Sequence, residues 1–363
     1  MTGGRLVAAQ RLLVEDEVLA PGWLRIADAT VVGLGAGEPP GPATTTIDGT
    51  VVPGFVDLHC HGGGGHEFTD PDVAHVRAAL AFHAARGNAA TMLSLVTAPA
   101  DELLAQVRRL APLVRAGEAP GIHLEGPWLA RSRCGAQDPR YLRPPDPAEI
   151  DALLEAGEGT VAMVTIAPEL DGALDAIDRL TAAGVVVAIG HTDADYAQTR
   201  AAIDRGATVA THLFNGMRPL HHRDPGPVLA LLDDERVVVE LIGDGVHLDP
   251  RLVSSIVSAV GAARAALVSD AMAAAGMPDG SYRLGSLAVT VGDGVARLRD
   301  GGAIAGGTGT MADLVERYLV GSPAGDAALR DVVALSSGTP AGVLGRADLG
   351  RLTVGSAGAY AVL

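Results

Sequence analysis

The sequence contains no lysine; all 27 of its basic side chains are arginines. That excludes Schiff-base lysines, P-loop lysines and carboxylated-lysine metal bridges, so any acid bridging two cations must be Asp or Glu. Cysteine is nearly absent as well. Cys60 and Cys134 stand alone, with no C-x-x-C pair, and imply no disulfide framework. Hydrophobic residues make up 48% of the 363-residue chain, yet no apolar run reaches the length that spans a bilayer. The N-terminal MTGGRLVAAQRLLVEDEV brings acids where a signal peptide would continue its apolar core, so a soluble, cytoplasmic protein is expected. Positive charge is scarce. A formal net charge of −16 argues against nucleic acid and anionic membrane as partners, and an anionic small substrate would need local arginines.

What is present begins with short β-type runs, Arg5–Ala8, Gly22–Ile26 and Thr30–Leu34, read as a small β layer. From residue 51 the rhythm changes to apolar strands alternating with helical segments. The strand candidates are Gly54–Leu58, Ala90–Val96, Gly121–Leu124, Thr160–Ile166, Val185–Ile189, Ala207–Thr211, Val237–Ile242 and Ala265–Ser269. Helices are expected between them, including one over 72–86 opened by Asp70-Pro71. Eight such units over about 220 residues fit an α/β (β/α)8 TIM barrel, with a doubly wound open sheet as the structural alternative. Residues 280–305 add β-like pieces, helices resume over 311–320 and 326–335, and Ser336–Arg346 reads as turn-rich. Residues 349–363 are strand-like. The expectation is a composite β-sandwich built from 1–53 and 346–363 beside a barrel over 54–345.

Residues 51–65, VVPGFVDLHCHGGGG, hold the strongest local signal. An apolar run over 51–56 reads as one strand entering through Pro53-Gly54. Side chains alternate along a strand, so His59 and His61 share a face and Cys60 points away. Further chemistry-bearing residues end later strands: Glu125, His191, His212, His247 and Asp270. A barrel gathers all those ends on one rim. Four histidines, His59, His61, His191 and His212, with Glu125 suffice for two ion sites. Such ligands suit zinc, with iron, cobalt or manganese feasible. Asp270 beside the cation is the candidate general base. His66, His75 and His83 read as surface or helix residues, His123 as possible support for Glu125, and His221 and His222 as loop residues. Arg108-Arg109 reads as solvated helix charge, and GGTGT at 306–310 could hold an anion at a helix start.

The motifs PGFVDLHCHG, HLEGPW, GH at 190–191, THLFNGM, DGVH, SDA and IAGGTGTM resemble those of the N-acetylglucosamine-6-phosphate deacetylases, a family of amidohydrolases. The resemblance covers nearly the whole chain. It implies a barrel carrying a composite β-sandwich, a homodimer, and hydrolysis of the acetamido group of N-acetylglucosamine 6-phosphate, with N-acetylgalactosamine 6-phosphate or another cyclic or N-acyl amide as alternatives. It makes Glu125, His191 and His212 metal ligands, with His59 and His61 as a first-strand pair, for one or two divalent metals per subunit. It gives substrate contacts at Ala136, Gln137, Asn215, Gly216, Asp244, His247, Ile304, Ala305 and Gly306, and a role for His247 in steadying the oxyanion. Arg223 matches a phosphate-binding arginine that reaches the neighbouring subunit's site. The loop after HLEGPW departs from the family's KKGAH and reads RSRCGAQ, with Gln137 at the histidine position.

Overall fold

The structure, a computed structural model, describes residues 4–363; residues 1–3 of the expected end-built unit lie outside that range. In Gly22–Ala27 buried and less buried side chains alternate, as in a strand with one covered face. That strand belongs to a six-stranded sheet made from both chain ends. Across it run Tyr360–Val362, Thr45–Pro53, Arg5–Val14, Gly22–Ala27 and Thr30–Ala36, with Glu17–Leu19 paired to Arg5–Val14. Val7, Leu12, Leu24, Val31, Val51 and Leu352 form its own small core. Of the strand-like segment 349–363, only Tyr360–Val362 is a strand; Thr353 and Ser356 close a turn before it.

Residues 51–56 are not one strand. Thr45–Pro53 ends in the outer sheet and Phe55–Asp57 starts the parallel one. Proline has no N–H to continue a ladder, and the chain changes sheet there.

Seven parallel strands follow in sequence order: Leu93–Val96, Ile122–Glu125, Val161–Ile166, Val186–Ile189, Ala207–Ala210, Val238–Leu241 and Ala265–Leu267. Each expected strand is present. The second is split, because Asn88–Thr91 pairs with Phe55–Asp57 whereas Leu93–Val96 pairs with Ile122–Glu125. The bend falls at Met92, whose N–H donates to the Asp57 carbonyl, while the next amide, Leu93, donates to Gly121. The first and last strands also meet. Asp270 N donates to the His59 carbonyl at 2.9 Å, His61 N donates to the Ala271 carbonyl at 2.7 Å, and Cys60 bridges Ala271 in parallel. An open doubly wound sheet leaves its outer strands unjoined, so these bonds favour the barrel-like form.

Helices pack outside the parallel sheet. Ile122 and Leu124 join the large apolar cluster shared with them, so His123 and Glu125 face inward. Leu58, Met92, Met163, Ala188, Val209, Ile242, Ala266 and Val268 form a separate cluster. Asp146 and Asp249 cap the helices Pro147–Gly157 and Pro250–Val260. The first helix, Val73–Ala84, differs from expectation. Its cap is Asp72, and Asp70 instead accepts the Asp72 amide, folding residues 70–72 into a turn ahead of the helix. Ser336–Arg346, expected as turns, is largely helical: a wide π-helical turn over Ala334–Gly338 runs into Thr339–Val343. Its polarity misleads because the Ser336 hydroxyl folds back onto the Val332 carbonyl and is buried there.

Candidate active site

The five expected ligands and Asp270 converge at the carboxyl ends of the strands. His191 Nε2 and His212 Nε2 each lie 2.9 Å from Glu125 Oε1 and 3.2 Å from each other. His59 Nε2 and His61 Nε2 are 3.1 Å apart. His61 Nε2 is 3.2 Å from Glu125 Oε2 and 3.3 Å from Asp270 Oδ1, which is 3.5 Å from His59 Nε2. All six residues are buried.

The outer ring nitrogens explain why these rings face inward. His61 Nδ1 donates to the Ser94 carbonyl, His191 Nδ1 to the Arg133 carbonyl, and His59 Nδ1 to the Glu240 carboxylate. With Nδ1 carrying the hydrogen in His59 and His61, their neutral Nε2 atoms turn lone pairs toward each other at 3.1 Å, which is repulsive unless a cation or protons lie between them. Ligands about 2.0–2.1 Å from a tetrahedral ion stand roughly 3.3 Å apart. The observed separations of 2.9–3.6 Å match such a shell, so the donor set fits a divalent cation. Glu125 turns Oε1 to His191, His212 and, at 3.6 Å, His59, and Oε2 to His61.

Electrostatics agree. Burial lowers the pKa of His59, but the Glu125 and Asp270 carboxylates outweigh it and carry it well above the usual value. His61 is pushed up to about 9 against burial by bonds to Asp270 and Glu125. Burial would raise Glu125 and Asp270, yet the surrounding imidazoles hold both below the ordinary carboxylate range. So many charged groups in one dry pocket are a costly arrangement without a ligand to organise them.

Backbone strain marks the same residues. His191, His212 and Asp270 have φ of 47°, 28° and 45°, where non-glycine residues pay of order 1–3 kcal/mol each. The His191 ring is also wedged between two glycines. A Cβ on Gly216 (φ 61°) would stand 2.8 Å from His191 Nδ1, and one on Gly135 (φ 55°) 3.2 Å from its Cε1.

Ahead of the donors lies a cavity of about 220 Å³. His61, Glu125, Ala136, Gln137, Asn215, Gly216, His247, Asp270, Ile304 and Gly306 line it, with Gly135, Leu284 and Ala303, which the motifs did not point to. Asp244 stands behind His247, its Oδ2 2.7 Å from Nδ1. Burial lowers His247, but Asp244 outweighs it and raises the imidazole above its usual value. Ala305 is fully buried behind the wall. Arg223 does not reach this cavity; it is exposed on the loop with His221 and His222.

Other residues stand where the sequence did not put them. His123 does not touch Glu125. It bridges Ser94 Oγ and Thr165 Oγ1, edge-on to His59 at 4.7 Å, and burial drives its pKa well below normal. His83 is a helix residue, one of the two readings the sequence offered, and its ring is buried 2.9 Å from the Gly62 carbonyl and 3.3 Å from Cys60 Sγ. His66 and His75 stack on the outside. Arg109 is half-buried and donates to the Thr69 carbonyl. The helix start after GGTGT is filled by its own chain, since Asp313 accepts from Thr310 N and Oγ1. Sequence reasoning missed Glu240 altogether. It is fully buried, takes His59 Nδ1 at 3.2 Å and His212 N at 3.1 Å, and so ties two ligands to one carboxylate. Its only signal was an acid inside VVVELI, where an apolar side chain would serve a strand better.

Residues 50–363 match the amidohydrolase family. The chain belongs to that family. This amidohydrolase is 38% identical over 350 residues to an N-acetylgalactosamine-6-phosphate deacetylase of Escherichia coli O157:H7, covering 95% of this chain and 88% of the relative. It is 36% identical to an N-acetylglucosamine-6-phosphate deacetylase of Vibrio furnissii, over 84% of this chain and 76% of that one. Among solved structures, an N-acetyl-D-glucosamine-6-phosphate deacetylase mutant from Mycobacterium smegmatis, in complex with N-acetyl-D-glucosamine-6-phosphate, superposes with a TM-score of 0.92. Its sequence is 50% identical, with 99% of this chain and 93% of that chain covered.

Proposed function

We propose that this amidohydrolase removes the acetyl group of N-acetyl-D-glucosamine 6-phosphate, giving D-glucosamine 6-phosphate and acetate. The observation that carries the reading is that Asp270 and His247 line one cavity together with Glu125, His61, His191 and His212. His59, His61, Glu125, His191 and His212 would hold one or two divalent cations, zinc first by ligand type. A cation held there would acidify water toward a pKa of about 7 and draw electron density from an amide carbonyl.

The chain's own groups do the rest. Asp270 Oδ accepts the proton of the attacking water as its oxygen bonds to the acetyl carbon. His247, whose protonated form the Asp244 carboxylate favours, donates to the carbonyl oxygen as negative charge gathers on it. When the C–N bond breaks, Asp270 passes its proton to the departing amine, so one carboxylate serves as base and then acid. Ala136, Asn215, Gly216, Ile304 and Gly306 line the space left for the sugar.

The sugar phosphate calls for an arginine, and none is among the described residues that line the cavity. Exposed Arg223 meets that need in a homodimer where its loop enters the neighbouring site, within the cytoplasm where sugar phosphates are held. The same reading takes 1–53 with 346–363 as one β-sandwich unit, supported by the pairing of Tyr360–Val362 with Thr45–Pro53, and 54–345 as the catalytic unit.

Acetate release from N-acetylglucosamine 6-phosphate, its galacto epimer and unphosphorylated N-acetylglucosamine, with metal-reconstituted protein, tests the reading. The phosphorylated gluco sugar is expected to turn over fastest. The Escherichia coli relative makes the galacto epimer the second candidate. No release from any of the three refutes the proposal.

A further inference from the structure

Gln137 lines the cavity, and a polar side chain there would ordinarily be counted as a hand for the substrate. Its amide is already engaged at both ends. Gln137 Oε1 accepts the Thr97 backbone N–H at 2.8 Å, and Gln137 Nε2 donates to Glu125 Oε2 at 2.5 Å. Neither partner allows the amide to turn over. A backbone N–H only donates and so must meet the oxygen; an ionised carboxylate only accepts and so must meet the nitrogen. The side chain is 3% exposed.

We infer that Gln137 is a positioning residue for Glu125 rather than a substrate contact. Glu125 Oε1 faces His191 and His212 at 2.9 Å each, and Oε2 faces His61 at 3.2 Å. A free carboxylate could rotate and bring both oxygens to one side. The Gln137 amide pins Oε2 and so fixes the carboxylate plane in which Oε1 faces His191 and His212 and Oε2 faces His61. The nitrogen that does this has no lone pair to offer a cation, so it orients the ligand without competing for the ion. Gln137 is held in turn by its loop, where Gln137 N donates to the Cys134 carbonyl. The same loop supplies the Arg133 carbonyl that orients His191. One short segment thus aims two of the five donors.

The inference rests on the proposed metal site but not on the substrate. Gln137→Leu keeps the bulk and removes the donor. Gln137→Met does the same with a longer, more adaptable side chain and serves if the first does not fold, with thermal unfolding as the check. Zinc affinity, measured by chelator competition without substrate, is expected to fall about 10–100-fold in the folded variant. With the ion restored by excess zinc, KM for the best substrate should stay within about twofold of wild type. Unchanged zinc affinity, or unchanged affinity with a raised KM, overturns the inference and returns Gln137 to the substrate. If the wild-type protein releases no acetate, the deacetylase reading falls while the zinc titration still decides this one.

Discussion

At Asp270 the chain bends through φ 45° to set a carboxylate between His61 and the cavity. Asp270→Asn keeps that shape and removes the proton acceptor. It should lower kcat about 10²–10⁴-fold while metal content, measured by elemental analysis, stays at the wild-type level; near-normal turnover would remove Asp270 from the chemistry. Glu240 acts at one remove, through His59 and the backbone of His212. Glu240→Ala should weaken zinc binding about 10–100-fold, and Glu240→Gln, which can still accept both N–H groups through one oxygen, should recover most of it. A titration placing Glu240→Ala at wild-type affinity would leave Glu240 a bystander. The difference between these two residues also decides what sequence alone could read. Asp270 ends a strand inside a motif, so its place on the rim followed from periodicity. Glu240 lies mid-strand, and nothing linear says that its neighbour in space is His59. The Ser94 and Arg133 contacts to the histidines use carbonyls, which every residue has and no sequence marks.

Among elements, the parallel strands were legible because apolar runs of fixed length recur between helical segments. The split of the second was not, because it depends on which neighbour each half meets. The join between first and last strands is likewise tertiary. Asp57 is fully buried and accepts from Ser269 N at 3.1 Å, Ser269 Oγ at 2.5 Å and His59 N at 3.4 Å. Burial raises its pKa to about 6 even against those bonds. Asp57→Ala strands these donors. It should cost about 1–3 kcal/mol in urea unfolding followed at fixed metal concentration, with an unchanged m-value. A loss below a few tenths would mean the join does not depend on this carboxylate. The helical stretch at 334–343 was hidden for a simpler reason: serines that look like turn formers satisfy themselves on helix carbonyls.

For the whole molecule, protons and cation compete for the same imidazoles. In the metal-free protein His61 titrates at about 9 instead of 6.5, and His59 and His191 are raised as well. Loading must displace those protons, so zinc affinity should fall as pH drops from about 9 toward 6, and binding at neutral pH should acidify a weak buffer. The stability consequence has a definite sign. A raised imidazole stabilises the metal-free fold fully below pH 6.5, and that contribution is lost as pH rises through about 9. The gain in Tm on adding zinc should therefore grow across that window; a gain that shrinks with rising pH would contradict the assignment. The join between the first and last strands carries one more consequence. Asp57 and Ser269 are 212 positions apart, and the groups beside them, His59, His61 and Asp270, stand on opposite edges of that seam. A ribosome releases His59 and His61 long before His191 and His212, so a half-made chain owns part of a chelate and none of the geometry that tightens it. Cation capture should then come late in the protein's life, once the strands carrying all five donors stand side by side.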